Sequence, residues 1–339
     1  MKWLNILALV AVAVAATLVV VGNTGNDRPG QLLNVSYDPT RELFADLNRQ
    51  FVAKYEKDTG RKLTINQSHG GSSRQARSVI DGVEADVVTL ALFSDVDALR
   101  KQGLIADGWS KRLPNDSAPW TSTIVFVVRK GNPLRIHDWP DLIHSDVSVI
   151  TPNPKTSGNG KLSFLGAWGS VTYRGGSEQH ARDYVRRLYA HVQALDTGAR
   201  GAATTFADEK QGDVHLTWEN EALREVADSN GELEIVYPPV SILAQPSVAW
   251  VDRNVARRNT AESAKAYLEF LYTSPAQETL AKYGYRPIDP EILKKHANRF
   301  PKIDLFPVTL LAKDWDDAQQ KFFAENGIFD VIYKPKAQP

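Results

Sequence analysis

The sequence predicts an α/β protein of two lobes, each a mostly parallel sheet flanked by helices, with a ligand cleft between the lobes. Short apolar runs alternate with stretches of helical periodicity along the body of the chain. Such β-α-β-α alternation places parallel strands side by side with helices on both faces. The length of 339 residues is also sufficient for two units that each bury a core.

The first series of elements begins at Leu32. A strand is predicted at Leu32–Val35, and a helix follows that opens with Asp38 as N-cap and Pro39 in its first turn. Apolar residues then recur at helical spacing until Gly60 ends this helix. Two further strands are predicted at Leu63–Gln67 and Ala85–Leu90. The helices that follow them are predicted at Ser72–Ile80 and Ser94–Lys101.

A second series follows a stretch rich in Trp and Pro near Leu113–Trp120. Its strands are predicted at Thr123–Arg129, Val147–Thr151, Val214–Thr217, Glu234–Tyr237 and Ser247–Val251. Its helices are predicted at Lys161–Tyr173, Glu178–Leu195, Thr204–Lys210, Glu219–Asp228, Ala261–Tyr272, Pro275–Tyr283 and Asp314–Asn326. The predicted units are one lobe of residues 31–112 plus 242–300, a second lobe of residues 113–241, and a C-terminal helical segment of residues 301–339.

The composition excludes several classes of protein. Forty Lys+Arg balance forty Asp+Glu, and 42% hydrophobic with 24% charged residues is typical of a globular chain. Nucleic acid is not expected as a partner, because a phosphate polymer requires an excess of basic residues. The chain has no cysteine, which excludes disulfides, thiolate metal sites, a cysteine nucleophile and a lipid on an N-terminal cysteine.

The N-terminal segment is predicted to direct export. Lys2 precedes an apolar run from Trp3 to Val21, and a polar break begins at Gly22. This is the pattern of a signal peptide, which we place at residues 1–22. An uncleaved membrane anchor is the alternative, because about 18 apolar residues approach the length that spans a bilayer. In both cases the body is exported, and the periplasm is the expected compartment.

Turns of Gly and Ser precede three of the predicted helices. They are Ser68–Ser73, Pro152–Gly160 and Asp196–Gly201. Open parallel sheets bind ligands beyond the carboxyl ends of their strands. Glycine lets the backbone come close there, and the unpaired first-turn N–H groups and the helix dipole favour an anion. Since Ser and Gly before a helix are often only a cap and a bend, an anion-binding cleft and plain capping remain equal alternatives at this point.

Other chemistry lacks its sequence signals. No phosphate-loop, dinucleotide or serine-hydrolase motif occurs. The histidines show no metal-ligand spacing and are interpreted as structural or surface residues. Glu219 and Glu221 stand two apart at a predicted helix start, which favours complementation of the helix dipole over acid–base work. We therefore expect no metal, no cofactor and no catalytic residue.

Several segments, taken together, resemble the periplasmic sulfate-binding proteins. These segments are Leu33–Glu42, Gln67–Ser72, Pro114–Pro119, Pro152–Lys155, Leu195–Gly201 and Trp218–Ala222. The similarity extends from about Leu32 to near Tyr333. It implies the two-lobed periplasmic-binding-protein architecture and a monomer that delivers sulfate, or in close relatives thiosulfate, to a membrane ABC permease.

The resemblance also implies which groups hold the anion, and all of them are neutral. They are the hydroxyl and backbone N–H of Ser72, the hydroxyl of Ser157, the backbone N–H groups of Gly158, Asn159 and Ala199, and the indole N–H of Trp218. Asn159 stands where these relatives usually have glycine. Behind these donors we expect Asp38 and Arg200, with the Arg charge paired to a carboxylate rather than to the anion. A plain surface ion pair is the alternative for them.

Two alternatives concern the function. The cargo could be thiosulfate, molybdate or phosphate, which the sequence does not separate from sulfate. An enzyme on the same scaffold, such as a transferase that holds a phosphate-bearing substrate in the cleft, belongs to another class. It would need a nucleophile or a base in the cleft. The lack of cysteine and of paired carboxylates beside the three turns argues against it.

Overall fold

The structure is a computed structural model that describes residues 30–333 of the chain. It is an α/β protein whose two larger sheets have four and five strands. The predicted signal segment, residues 1–22, lies outside the described residues. Between residues 30 and 333, no helix is both long and apolar enough to cross a membrane.

The strands and helices have the following bounds. The strands are β1 (Gln31–Tyr37), β2 (Thr64–Gly70), β3 (Val87–Leu90), β4 (Trp120–Thr121), β5 (Ile124–Arg129), β6 (Val149–Pro152), β7 (Val192–Asp196), β8 (Val214–Trp218), β9 (Leu233–Val236), β10 (Val240–Ile242), β11 (Ser247–Trp250), β12 (Arg286–Pro287) and β13 (Asp304–Phe306). The helices are α1 (Arg41–Thr59), α2 (Ser72–Ile80), α3 (Phe93–Lys101), α4 (Gly158–Thr172), α5 (Glu178–Ala190), α6 (Ala199–Ala203), α7 (Glu219–Asp228), α8 (Asp252–Arg258), α9 (Ala261–Phe270), α10 (Ser274–Lys282), α11 (Pro290–Lys295), α12 (Trp315–Ala318) and α13 (Ile328–Ile332). A short turn at Pro114–Ser117 contains left-handed residues.

The first sheet has the strand order β11-β3-β1-β2. Strand β1 pairs in parallel with both β2 and β3, and β11 closes the edge antiparallel to β3. The last residue pair of β1 and β2 is Tyr37 with Gly70. The chain therefore leaves both strands at the same edge of the sheet, which brings the turn before α2 next to the start of α1.

The second sheet has the order β7-β6-β8-β5-β9. Strand β6 is parallel to β7 and β8, whereas β5 is antiparallel to β8 and β9. The sheet is therefore mixed, and its parallel part carries two of the three Gly/Ser turns, Pro152–Gly160 and Asp196–Gly201. Because Pro152 pairs with Asp196, the turns that lead to α4 and α6 begin side by side.

Several predicted elements need correction. The helix predicted at Glu178–Leu195 ends at Ala190, and the residues after it form β7. Apolar residues at helical spacing continue past the true helix end, but pairing with β6 gives this segment a strand. Asp38 is also not a helix cap. It begins a short 3₁₀ turn between β1 and α1, and its carboxylate accepts no capping hydrogen bond.

The C-terminal segment packs against the elements of the second sheet. β13 pairs in parallel with β10. The helix predicted at Asp314–Asn326 is shorter than expected and consists of α12 followed by a π-helical turn at Gln319–Phe323. The ammonium of Lys155 donates to the carbonyls of Phe323 and Ala324 at 2.9 and 3.0 Å and pairs with Asp330 at 2.7 Å. The segment is thus tied to the loop between β6 and α4.

Candidate functional site

A small cavity lies at the carboxyl ends of strands from both sheets. Its wall is formed by Tyr37, Asp38, Pro39, Gly70, Gly71, Ser72, Ser157, Gly158, Asn159, Ala199 and Trp218. All six residues predicted to hold an anion are in this set, although they lie far apart in the sequence. Their role as ligands stays a prediction.

The start of α4 supplies the largest group of donors. The hydroxyl oxygen of Ser157 caps the helix by accepting from the backbone N–H of Gly160 at 3.4 Å. The proton of that hydroxyl remains free to donate to another group. Gly158 and Asn159 occupy the first two helical positions, where backbone N–H groups have no intrahelical acceptor. The positive end of the helix dipole adds to the attraction for an anion.

Ala199 and Trp218 complete the part of the wall that comes from the second sheet. Ala199 is the first residue of α6, so its N–H also lacks an intrahelical acceptor. Trp218 ends β8, is 1% exposed, and has its ring 5.5 Å from that of Tyr37. Buried indoles elsewhere donate to protein atoms: Trp120 to Tyr37 and Trp139 to Val240. The Trp218 indole has no such bond within residues 30–333, and its ring lines the cavity.

Ser72 differs from its predicted role in one respect. Its hydroxyl donates to Oδ2 of Asp95 at 2.6 Å and accepts from the backbone N–H of Ala91 at 2.9 Å. A hydroxyl has a single proton, so in this structure the Ser72 hydroxyl does not point its proton into the cavity. The backbone N–H of Ser72, in the first position of α2, is the donor that remains.

Asp95 is the centre of a buried polar cluster behind Ser72. Its Oδ1 accepts from the hydroxyl of Ser73 at 2.8 Å and faces the ammonium of Lys161 at 3.2 Å. The side chains of both Asp95 and Lys161 are 5% exposed. Such a buried pair is tolerated only when its remaining polar atoms find partners, as the two serines provide here. The pair joins α3 to α4, and thus the two sheets, and the sequence analysis missed it because no motif connects the two positions.

Arg200 and Asp38 occupy different places relative to the cavity. Nε of Arg200 lies 2.8 Å from Oε2 of Glu221, and the guanidinium also pairs with Glu42. Its charge is therefore compensated by carboxylates. Asp38, which was expected behind the donors, lies on the cavity wall itself.

The charge of Asp38 is set by opposing effects. Burial raises the pKa of its carboxyl, while the charges of Arg41, Arg200 and Arg74 act in the opposite direction. Burial disfavours the charged form, and nearby cations favour it. The effect of burial is the larger one, so the pKa of Asp38 is raised overall, and its carboxyl is the acidic group on the cavity wall.

Two glycines allow the turns of the two sheets to touch. A Cβ at Gly71 would lie 2.6 Å from the carbonyl oxygen of Thr156, and one at Gly158 would lie 2.3 Å from Cβ of Ala91. Real Cβ atoms do not approach so closely, so any larger residue would push the turns apart. The backbone N–H of Arg74 donates across the same contact to the carbonyl of Thr156 at 3.4 Å.

A larger groove of about 480 Å³ is lined with four arginines, Arg41, Arg129, Arg200 and Arg224. Its size and charge make it an obvious candidate for an anion. However, Arg200 and Arg224 share the carboxylate of Glu221, and Arg129 donates to the backbone carbonyl of Phe206 at 3.1 Å. Three of the four arginines that line the groove are therefore already engaged by protein atoms.

The site shows no sign of metal chemistry. No group of three His, Cys, Asp or Glu side chains that could hold a metal ion occurs within residues 30–333. The histidine nearest in sequence to the cavity wall is His69. Its pKa is lowered to about 4 by burial and by the charge of Arg41, against the raising effect of a backbone hydrogen bond with Tyr37. His69 is therefore neutral at physiological pH.

Comparison with known proteins connects this geometry to a family. The family model described as "Bacterial extracellular solute-binding protein" matches residues 39–286. The sulfate-binding protein of Escherichia coli (strain K12) is 53% identical over 90% of this chain and 93% of its own. The thiosulfate-binding protein of Pseudomonas aeruginosa is 48% identical over 90% of this chain and 92% of its own.

Solved structures agree with these sequence comparisons. The sulfate-binding protein SubI of Mycobacterium tuberculosis superposes with a TM-score of 0.78 at 30% identity, covering 87% of this chain and 100% of its own. The apo ferric ion-binding protein A of Pasteurella haemolytica reaches 0.62 at 17% identity, covering 90% and 98%. That second likeness concerns the fold alone.

The depressed pKa of His69 predicts a pH dependence of stability. Because the unfolded chain binds the proton more readily, the contribution of neutral His69 is full above pH 6.5 and is lost as the pH falls toward about 4. His69→Asn should therefore lose less unfolding free energy than the wild type between about pH 7 and about pH 4.5. Urea unfolding at both pH values measures this. His180→Asn, at an exposed helix position, is the control, and equal losses in all three proteins would contradict the assignment.

Proposed function

The chain belongs to the bacterial extracellular solute-binding proteins, and from that membership we propose that it is the periplasmic sulfate-binding component of an ABC importer. It holds sulfate in the cavity between the strand ends of the two sheets and presents it to a membrane permease. The observation that carries the proposal is the convergence of unpaired, neutral donors from both sheets on this one cavity. The sulfate-binding and thiosulfate-binding relatives support it.

Neutral donors suit sulfate for a chemical reason. Sulfate is a dianion without a proton near neutral pH, so all of its oxygens accept hydrogen bonds. The N–H groups of Gly158, Asn159 and Ala199, the hydroxyl of Ser157 and the indole of Trp218 only need to donate to it. Charge-assisted hydrogen bonds of this kind are stronger than neutral ones. The nearby Lys161 and Arg200 already face carboxylates, so the binding relies on dipoles rather than on a free cation.

The two sheets suggest how the ligand is enclosed. We assign them to two lobes, residues 31–112 plus 242–300 and residues 113–241, with residues 301–339 as an added segment. Ser72 would contact the ligand from the first lobe, and Ser157, Gly158, Ala199 and Trp218 from the second. A ligand that contacts both lobes favours the closed arrangement. In this role the protein acts as a monomer and breaks no bond.

An enzymatic function finds little support in the site. Acyl or phosphoryl transfer requires a nucleophile beside a base. Among the described residues that line the cavity, the ionisable ones are Tyr37 and Asp38. Burial raises the pKa of Tyr37 far above its usual range, so its phenol is a poor nucleophile. Asp38 is a single carboxylate without a partner of the same type.

The proposed function is tested by calorimetric titration of the mature protein with sulfate, thiosulfate, phosphate and molybdate. We expect sulfate to bind most tightly and phosphate more than about a hundredfold more weakly at about pH 7, since hydrogen phosphate would bury a proton among donors. The preference for sulfate over phosphate should persist between about pH 5 and about pH 8, because sulfate carries no proton in this range while phosphate carries at least one. Failure to bind either sulfate or thiosulfate would refute the proposal.

Phosphate binding within about tenfold of sulfate would instead point to Asp38 as an acceptor. Asp38→Asn should then remove the phosphate affinity and leave sulfate binding in place. Phosphate titration of the wild type and of Asp38→Asn thus shows whether the cavity binds a different anion from sulfate or whether the anion binds elsewhere.

Trp218→Phe keeps most of the ring and removes the indole N–H. Loss of a donor to a buried charge costs about 1.5–3 kcal/mol, so the dissociation constant for sulfate should rise roughly ten- to hundredfold. Trp168→Phe is the matched control, because Trp168 is equally buried but packs against Phe164 and Phe322. Equal affinities of the two variants would show that Trp218 only fills space.

Gly158→Ala tests the contact between the turns. The added methyl group would meet Cβ of Ala91 at 2.3 Å, and overpacking of this kind costs about 1–3 kcal/mol. We expect sulfate to bind at least about tenfold more weakly. Adding Ala91→Gly removes the clashing carbon, after which Cβ of Ser72 at 3.3 Å is the nearest neighbour. The double variant should regain most of the affinity. If it does not, the clash with Ala91 is not the reason why Gly158→Ala binds sulfate weakly.

A further inference from the structure

Asn159 has a side-chain amide that the backbone role assigned to this residue leaves unused. Asn159 is 1% exposed, and its Nδ2 is buried without a hydrogen-bond partner among the described residues. An N–H group buried without an acceptor is costly, commonly by more than a hydrogen bond contributes. Native structures rarely leave such a group empty, so an acceptor is expected at this position.

The other end of the amide is fixed by the helix. Oδ1 of Asn159 accepts from the hydroxyl of Ser163, one turn further along α4, at 3.0 Å. Ser163 is itself 1% exposed, so water does not compete for this bond. With Oδ1 engaged by the hydroxyl of Ser163, Nδ2 is the end of the amide that is left without a partner among the described residues.

The free end of this amide belongs to a residue on the wall of the proposed anion cavity. Asn159 lines it together with Ser157, Gly158, Ala199 and Trp218. The backbone N–H of Asn159 is unpaired at the second position of α4. Asn159 therefore has two N–H groups without an acceptor among the described residues, one on the backbone and one on the side chain, and the residue borders the cavity.

Resting on the proposed function, we propose that the side-chain amide of Asn159 donates a hydrogen bond to an oxygen of the bound anion and makes the site prefer sulfate over thiosulfate. Nδ2–H meets an oxygen acceptor in sulfate at every orientation. In thiosulfate one oxygen is replaced by a larger sulfur, which accepts hydrogen bonds weakly. A site whose donors all expect oxygen rejects the ligand that leaves one of them unpaired.

Overall sequence similarity does not distinguish sulfate from thiosulfate as the ligand. Relatives at 53% and 48% identity are named for sulfate and for thiosulfate, respectively. Glycine, the usual residue of the resembling family at this position, has no side chain that could donate. The amide is thus a donor that this chain adds to the backbone set.

The experiment compares sulfate and thiosulfate affinities of the wild type, Asn159→Ala and Asn159→Asp by calorimetry. Asn159→Ala should bind sulfate about tenfold more weakly and thiosulfate less than about twofold more weakly, so the preference narrows. Asn159→Asp places an acceptor beside the dianion and should weaken sulfate binding further. Ser163→Ala, which frees the amide to rotate, should fall between the wild type and Asn159→Ala.

Asn220→Ala is the matched control. Asn220 also occupies the second position of its helix, α7, and is 4% exposed with an unpaired Oδ1, but it does not line the cavity. Both affinities should stay within about twofold of the wild type. Urea unfolding of each variant establishes that the helix start remains intact.

The outcomes separate this inference from the proposed function. If the wild type binds neither anion, the proposed function itself fails. If the wild type binds sulfate but Asn159→Ala binds it within about twofold, the amide does not contact the anion and the inference is overturned. If both anions weaken equally in Asn159→Ala, the residue shapes the loop and does not select the ligand, which also overturns it.

Discussion

The contact between the turn before α2 and the turn before α4 is the constraint on which the rest of the site depends. Gly71 lies against the carbonyl of Thr156, and Gly158 lies against Ala91, which belongs to the neighbouring turn between β3 and α3. Because no side chain separates them, backbone N–H groups from both sheets can reach one small cavity. The parallel strand ends and the helix starts bring the backbone of the turn before α2 next to the backbone of the turn before α4.

The charges around the cavity follow from the same constraint. Two basic groups near the cavity, Lys161 and Arg200, are paired with carboxylates. Lys161 faces Asp95, and Arg200 lies between Glu42 and Glu221. Compensation of this kind leaves dipoles as the attractive element. It also means that the ligand can leave without breaking an ion pair.

The sequence predicts the parts of this site that depend on local pattern. Strand ends, helix starts and the Ser-Gly turns are local features, and α2 begins and ends where its pattern predicts. The segment after Ala190 shows the limit, since its apolar spacing fits a helix while pairing with β6 makes it a strand. Asp95 and Lys161, 66 residues apart, form a pair that no local pattern announces. The Ser72 hydroxyl donates its proton to Asp95, so its direction also depends on a distant residue and cannot be predicted from the local sequence.

The attachment of the C-terminal segment has a consequence for how the protein can be altered. Lys155 lies in the loop before Ser157, and its ammonium is held by Phe323, Ala324 and Asp330. The segment from Phe323 to Asp330 therefore holds in place the loop that carries the hydroxyl and amide donors. A fusion partner or an affinity tag joined shortly after Asp330 would disturb the ion pair between Asp330 and Lys155. In a biosensor built on this protein, a domain attached after this segment would affect the binding loop through the contacts of Lys155.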